Sequence, residues 1–188
     1  MKKLYDLRLE GPQCLTLKPV ELVHKNPWFK VQNRGGYYTV EYRSPQVIVL
    51  PIVEDHSIVM VRVKRPVIAD SPLELPAGGA KENEEPVDAA VRELFEETGI
   101  LVKDSSRIHA IPPIAGSPNR NPELLHIFQV ELSTEEVSSR KEHDREIEKV
   151  EILNFGEVCS KIMSGDIYVA VPIAVISRYF LSIAGLNE

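Results

Sequence analysis

The sequence predicts an α/β fold, a sandwich built on a mixed sheet and preceded by a small N-terminal β subdomain. Three observations carry that expectation. Strand-like and helix-like runs interleave over most of the 188 residues, the pattern of a sheet covered by helices. The first forty-odd residues give strand signals: Trp28-Phe29-Lys30-Val31, the turn Asn33-Arg34-Gly35-Gly36, then Tyr37 to Tyr42, with aromatic and β-branched residues around glycines. Gln46 to Val53 is almost wholly apolar, which suits a strand buried on both faces. The expected division is a subdomain over residues 1–44 and a main domain over 45–188.

Within the main domain, Gln46 to Val53 and Ser57 to Lys64 read as paired strands joined by the turn Glu54-Asp55-His56. A turn-rich stretch around Asp70-Ser71-Pro72 leads to Leu73-Glu74-Leu75-Pro76-Ala77-Gly78-Gly79. The clearest helix runs from Pro86 to Thr98. Proline suits a first helical position, Glu84, Glu85 and Asp88 suit the positive end of the helix dipole, and Gly99 stops it. Arg107 to Ile114 and Leu124 to Leu132 read as strands around the loop Gly116 to Pro122. Ser133 to Glu146 is dense in charge and is expected to be a mobile loop. A short strand over Val150 to Leu153 precedes a helix from about Glu157 to Met163, ended by Gly165. A last helix covers about Ala170 to Ala184, with Pro172 in its first turn.

Composition bounds the chemistry. With 28 Asp plus Glu against 22 Lys plus Arg, the net charge is −6. No clustered positive charge points to nucleic acid or to an anionic membrane surface. Cys14 and Cys159 lie too far apart for a C-x-x-C site, so two reduced thiols in a cytoplasmic protein are expected. The run Met1 to Arg8 is not expected to be a signal peptide, because charge returns before any long apolar stretch. The apolar runs Val47 to Val53 and Val169 to Ile176 fall well short of the roughly 20 residues a spanning helix needs. Gly78-Gly79-Ala80-Lys81 lacks P-loop spacing, the five histidines form no H-x-x-x-H pair, and no G-x-S-x-G elbow is present.

The Pro86–Thr98 helix holds the strongest chemical signal. At about 100° per residue, Glu97 lies about 40° and Glu96 about 60° from Glu93, so three carboxylates share one face opposite Val87, Val91, Leu94 and Thr98. Like charges one turn apart destabilise a helix. Carboxylates in the last turn also oppose its dipole. Either this face is simply solvated, or bound divalent cations offset the charge.

Gly78, five residues, Glu84, seven residues, then Arg92-Glu93-Leu94-Phe95-Glu96-Glu97-Thr98-Gly99-Ile100 matches the Nudix box. The chain resembles the Nudix hydrolases, which cleave a nucleoside diphosphate linked to another moiety. The resemblance implies Mg2+ as cofactor, with Mn2+ able to substitute. Glu93 and Glu97 would be its principal ligands, with Glu96 beside them and Ala77 offering its backbone carbonyl. Glu84 and Arg92 would serve structure.

Further features resemble the ADP-ribose pyrophosphatase and nucleotide-sugar branch. They are the Leu73–Gly79 approach to the box, Ser117-Pro118 downstream of it, and the N-terminal β subdomain, which that branch uses for dimerisation. The resemblance implies that Arg65 and Arg43 hold substrate phosphates, Arg43 across a homodimer interface. Trp28 would stack on the base, with a dimer-interface or core anchor as the alternative, and Glu123 would contact substrate or water. Glu142-His143-Asp144-Arg145-Glu146 stands where the branch keeps an acidic loop. There Glu146 is in ligand register, Asp144 is near the base position, and Glu142 is an alternative because loop lengths vary. Val63, Asn119 and Arg120 depart from the branch's usual glutamine and glycines. The expected partner is a small nucleoside diphosphate sugar, first ADP-ribose cleaved to AMP and ribose 5-phosphate. GDP-mannose hydrolysis and a non-catalytic nucleotide-sugar sensor are the alternatives.

Overall fold

The computed structural model describes residues 6–9, 14–54 and 56–185. The remainder, which includes most of the basic N-terminal run and Asp55 of the predicted turn, lies outside the described residues. Cys14 and Cys159 are both free.

A three-stranded antiparallel sheet comes first, formed by β1 (Val20–Lys25), β2 (Phe29–Arg34) and β3 (Tyr37–Tyr42) in that order. The predicted hairpin is β2–β3, turning at Gly35 and Gly36, whose φ values of 58° and 94° are left-handed and favour glycine. The sequence reading omitted β1, an edge strand with five of its six residues exposed.

The second sheet is mixed. β4 (Gln46–Val53) lies at its centre, antiparallel to β5 (Ser57–Val63) and parallel to β9 (Leu125–Leu132), with β10 (Ile147–Asn154) and β8 (His109–Ile114) outermost. Two short strands extend it: β6 (Leu73–Glu74) pairs with β5, and β7 (Ala77–Gly79) pairs with β4. Seven of the eight β4 residues are buried, because helices cover both faces. Val47, Val49 and Val53 pack under α1 (Pro86–Thr98), among Ala89, Ala90 and Leu94. Ile48, Leu50 and Ile52 turn the other way, onto Val158 of α3 (Phe155–Ser164) and Val175 and Ile176 of α4 (Ala170–Ile183). The predicted α/β/α sandwich results.

Helix α1 has the predicted bounds, with Pro86 in its first turn and Gly99 as a left-handed cap at φ 73°. One expectation is corrected. Ser133 to Glu146 is not all loop, since α2 (Thr134–Ser138) opens it behind a capping box of Ser133 and Glu136. The rest is tied down by main-chain bonds. Lys141 N donates to Gly99 O at 2.9 Å, Asp144 N to Glu96 O at 2.8 Å, and Lys64 N to Glu146 O at 3.0 Å. Among the described residues no helix is long and apolar enough to cross a membrane.

Candidate active site

The turn from β7 into α1 is held by one guanidinium. Arg92 donates from Nε and Nη2 to Glu84 at 2.9 Å each, and from Nη2 to Gly79 O at 2.9 Å. Its Nη1 donates to Glu93 and to Glu96 at 2.7 Å. Glu84 also accepts from Lys81 N at 2.7 Å, and the Arg92 bond holds its carboxyl down at about 2. The structural role expected of Glu84 and Arg92 has this geometry behind it. A fork that can satisfy several carboxylates at once is a property of arginine, not lysine.

On the face of α1 toward β7, Glu93 is buried and Glu97 half-buried, while Glu96 stays 34% exposed. Glu93 is only 9% exposed and lies against Gly78, where a Cβ would fall 2.5 Å from its Oε2 and closer still to Oε1 and Cδ. The glycine is needed for this close approach, since its φ is not in the left-handed range. Burial raises the Glu93 carboxyl above its ordinary value. Glu97 accepts from Ala77 N at 3.1 Å, and burial above all pushes it up to about 8, with the neighbouring Glu93 and Glu74 charges adding to the rise. Two desolvated carboxylates one helical turn apart, beside the Ala77 backbone, form the centre of the site.

Arg65 follows β5 and is caught by Glu74 of β6, with Nε and Nη2 donating to its two oxygens at 2.8 and 3.0 Å. That bond leads the causes raising the Arg65 pKa, and Glu97 and Glu146 add to it electrostatically. Glu146 is also close in the chain path, its carbonyl accepting from Lys64 N beside Arg65 at 3.0 Å. Glu142, Asp144 and Glu146 are all exposed, and the Asp144 tie to the helix runs through its backbone N–H. Glu74 was not singled out in the sequence; its only signal was its place in the Leu73–Gly79 run.

Arg43, Trp28 and Glu123 form a second group, around the N-terminal sheet. Trp28 is 73% exposed and precedes β2, so it is no core anchor. Its carbonyl accepts from Arg43 N at 3.2 Å, and Arg43 Nη1 donates to Pro27 O at 3.4 Å. Glu123 lines a cavity of about 180 Å³ with Tyr42, Ser44, Gln46 and Asn121. Its Oε2 is buried without a hydrogen-bond partner among the described residues, and burial raises its pKa. This cavity adjoins the carboxylates through Gly79, which pairs with Gln46.

The donor set fits a hard divalent cation. It is all oxygen, it is desolvated, and Gly78 leaves room for Glu93 where any side chain would intrude. Among the described residues no three His, Cys, Asp or Glu side chains converge to hold an ion by themselves, because Glu93 and Glu96 turn to Arg92 and Glu97 to Ala77 N. The Ala77 carbonyl, waters and phosphate oxygens would complete the shell, as suits a cation that keeps several waters.

Comparison with known proteins bears on the family and the fold. The NUDIX domain model matches residues 42–169. The chain is 35% identical over 107 residues to an ADP-ribose pyrophosphatase of Bacillus subtilis (strain 168), covering 56% of each. It is 31% identical over 107 residues to a methanol dehydrogenase activator of Bacillus methanolicus, again 56% of each. The chain thus spans about half the length of the curated relatives it matches. A solved structure described as an ADP compounds hydrolase superposes with a TM-score of 0.67 over 94% of this chain and 97% of that one, a likeness of fold at 18% identity.

Proposed function

Because the chain belongs to the Nudix family, we propose that it is a divalent-cation-dependent pyrophosphohydrolase of nucleoside diphosphate sugars, cleaving ADP-ribose to AMP and ribose 5-phosphate. The observation that carries this reading is the pair of carboxylates one helical turn apart, Glu93 packed on Gly78 and Glu97 on Ala77 N, with Arg65 acting on Glu97. The B. subtilis relative supports the substrate.

Glu93, Glu97 and the Ala77 carbonyl would hold the cation, Mg2+ or Mn2+, with Glu96 and Glu146 able to join. When bound, the cation neutralises the diphosphate and acidifies a water. Arg65 presents the free part of its guanidinium to diphosphate oxygens, a planar fork matched to that geometry. Glu146, which shares a field with Arg65, is placed first as the acceptor of a proton from the attacking water, with Asp144 and Glu142 as the other carboxylates of that loop. Arg43 and Trp28 take the nucleotide end, and Glu123 the sugar or a water. A homodimer through the N-terminal β subdomain and a cytoplasmic location complete the reading. Positioning and electrostatic stabilisation supply most of the rate, as in other phosphoryl transfers.

The test is product analysis. ADP-ribose, GDP-mannose, UDP-glucose, dinucleoside polyphosphates and nucleoside triphosphates are each incubated with the protein and Mg2+. The expected result is AMP and ribose 5-phosphate from ADP-ribose at the highest kcat/KM. Tight binding with no product from any of them would replace the enzyme with a sensor.

A further inference from the structure

Arg65 is fixed at both ends. Its backbone N–H donates to Asp70 O at 2.9 Å, closing a turn over Pro66 to Ala69 directly after β5. Its side chain is gripped by Glu74, which β6 places beside β5 through the pairing of Glu74 with Val61. The grip is bidentate at 2.8 and 3.0 Å, and the Glu74 side chain is 13% exposed against 44% for Arg65.

The edge used matters. A guanidinium carries five N–H donors, and the bonds from Nε and Nη2 take two. Both hydrogens on Nη1 and one on Nη2 remain, which is the end-on fork that fits a pair of phosphate oxygens. Two other carboxylates stand near: Glu146, whose carbonyl accepts from Lys64 N at 3.0 Å one residue before Arg65, and Glu97, which accepts from Ala77 N three residues after Glu74; both attract the same guanidinium. Among the described residues neither forms an ion pair with it; its one salt-bridge partner is Glu74. Of the three carboxylates that act on this arginine, Glu74 is the one that pairs with it among the described residues.

We propose that Glu74 is a positioning residue that holds Arg65 off Glu97 and Glu146. Its grip keeps the outer fork of the guanidinium free for the substrate diphosphate and leaves the two carboxylates available to the cation. Without it, Arg65 closes onto Glu97 or Glu146 and occupies oxygens that the cation needs. Glu74 therefore controls both diphosphate binding and cation binding while touching neither. This rests on the pyrophosphohydrolase reading above.

The test is a double-mutant cycle on the full chain with Glu74→Gln, Arg65→Ala and the pair. One readout is independent of turnover: calorimetric titration of Mn2+ into each protein without substrate. The other is KM and kcat on ADP-ribose. Glu74→Gln, which cannot accept both bonds, is expected to weaken Mn2+ binding about fivefold and raise KM about tenfold, with kcat within about threefold of wild type. In the Arg65→Ala background Glu74→Gln is expected to change both quantities less than about twofold, since nothing remains to be held. A merely structural glutamate would shift both backgrounds equally, and that additive result would overturn the proposal. Should Glu74→Gln not fold, the cycle is run with Glu74→Asp, whose shorter reach also fails to close both bonds. Wild-type protein that hydrolyses no nucleotide sugar refutes the functional reading instead, while the Mn2+ arm still decides the role of Glu74.

Discussion

Replacing Gly78 by alanine should separate catalysis from folding. The added Cβ would sit 2.5 Å from Glu93 Oε2 and nearer to Oε1 and Cδ, whereas ordinary contact begins at about 3.4 Å. The backbone accepts alanine, because Gly78 is paired in β7 and lacks a positive φ. The carboxylate must therefore move by about 1 Å, which disturbs the bond that Arg92 Nη1 now donates to it at 2.7 Å. A displacement of about 1 Å in a catalytic constellation can cost on the order of 100-fold in rate. Overpacking costs about 1–3 kcal/mol, and at this chain length each kcal/mol lowers Tm by roughly 2–4 °C. The assay is kcat on ADP-ribose at saturating Mg2+, with thermal melting of the same preparation. The expected outcome is kcat down about 100-fold and Tm down by less than about 12 °C. Turnover within threefold of wild type would refute the claim that the Glu93 position depends on the absent Cβ.

Other outcomes follow from the same network. Glu97 has a carboxyl pushed up to about 8 by burial, against an ordinary 4.5. The folded metal-free chain thus keeps a proton that the unfolded chain releases, and the resulting stability, present in full below about 4.5, is lost as pH rises through about 8. Metal-free Tm should fall between pH 5 and 9, Mg2+ should restore it most at pH 9, and Glu97→Gln should flatten the fall; an unchanged slope in that variant would contradict the assignment. Arg92→Ala strands Glu84, Glu93 and Glu96 together, so it should cost about 3 kcal/mol, read as a loss of roughly 6–12 °C in Tm. Within the acidic loop, Glu146→Gln should lower kcat at least about 100-fold, while Glu142→Gln stays within threefold; the reverse order would move the proton acceptor to Glu142.

Much of this was legible because it is local. Helix α1 follows from Pro86, the apolar spacing and Gly99, and the acid cluster follows from helical geometry. The burial of Glu93 was not legible, since it needs α1 pressed onto β7 at the one residue without a Cβ. The Glu74 grip on Arg65 depends on β5 pairing with β6, which no sequence periodicity announces over two residues. Edge strand β1 was missed because its side chains are mostly exposed and show little apolar alternation. Helix α2 was missed for a different reason. Ser133 and Glu136 carry the S-x-x-E capping signal, but the charge density around them read as loop.

The most direct measurement is ADP-ribose hydrolysis by wild type and Glu97→Gln as a function of Mg2+, from EDTA-treated protein to saturation. Wild-type turnover should vanish in EDTA and return with Mg2+. Glu97→Gln, with a native circular dichroism spectrum, should remain at least about 100-fold slower at every concentration. EDTA-insensitive hydrolysis by wild type, or near-wild-type turnover by Glu97→Gln, would contradict cation-dependent catalysis at Glu93 and Glu97.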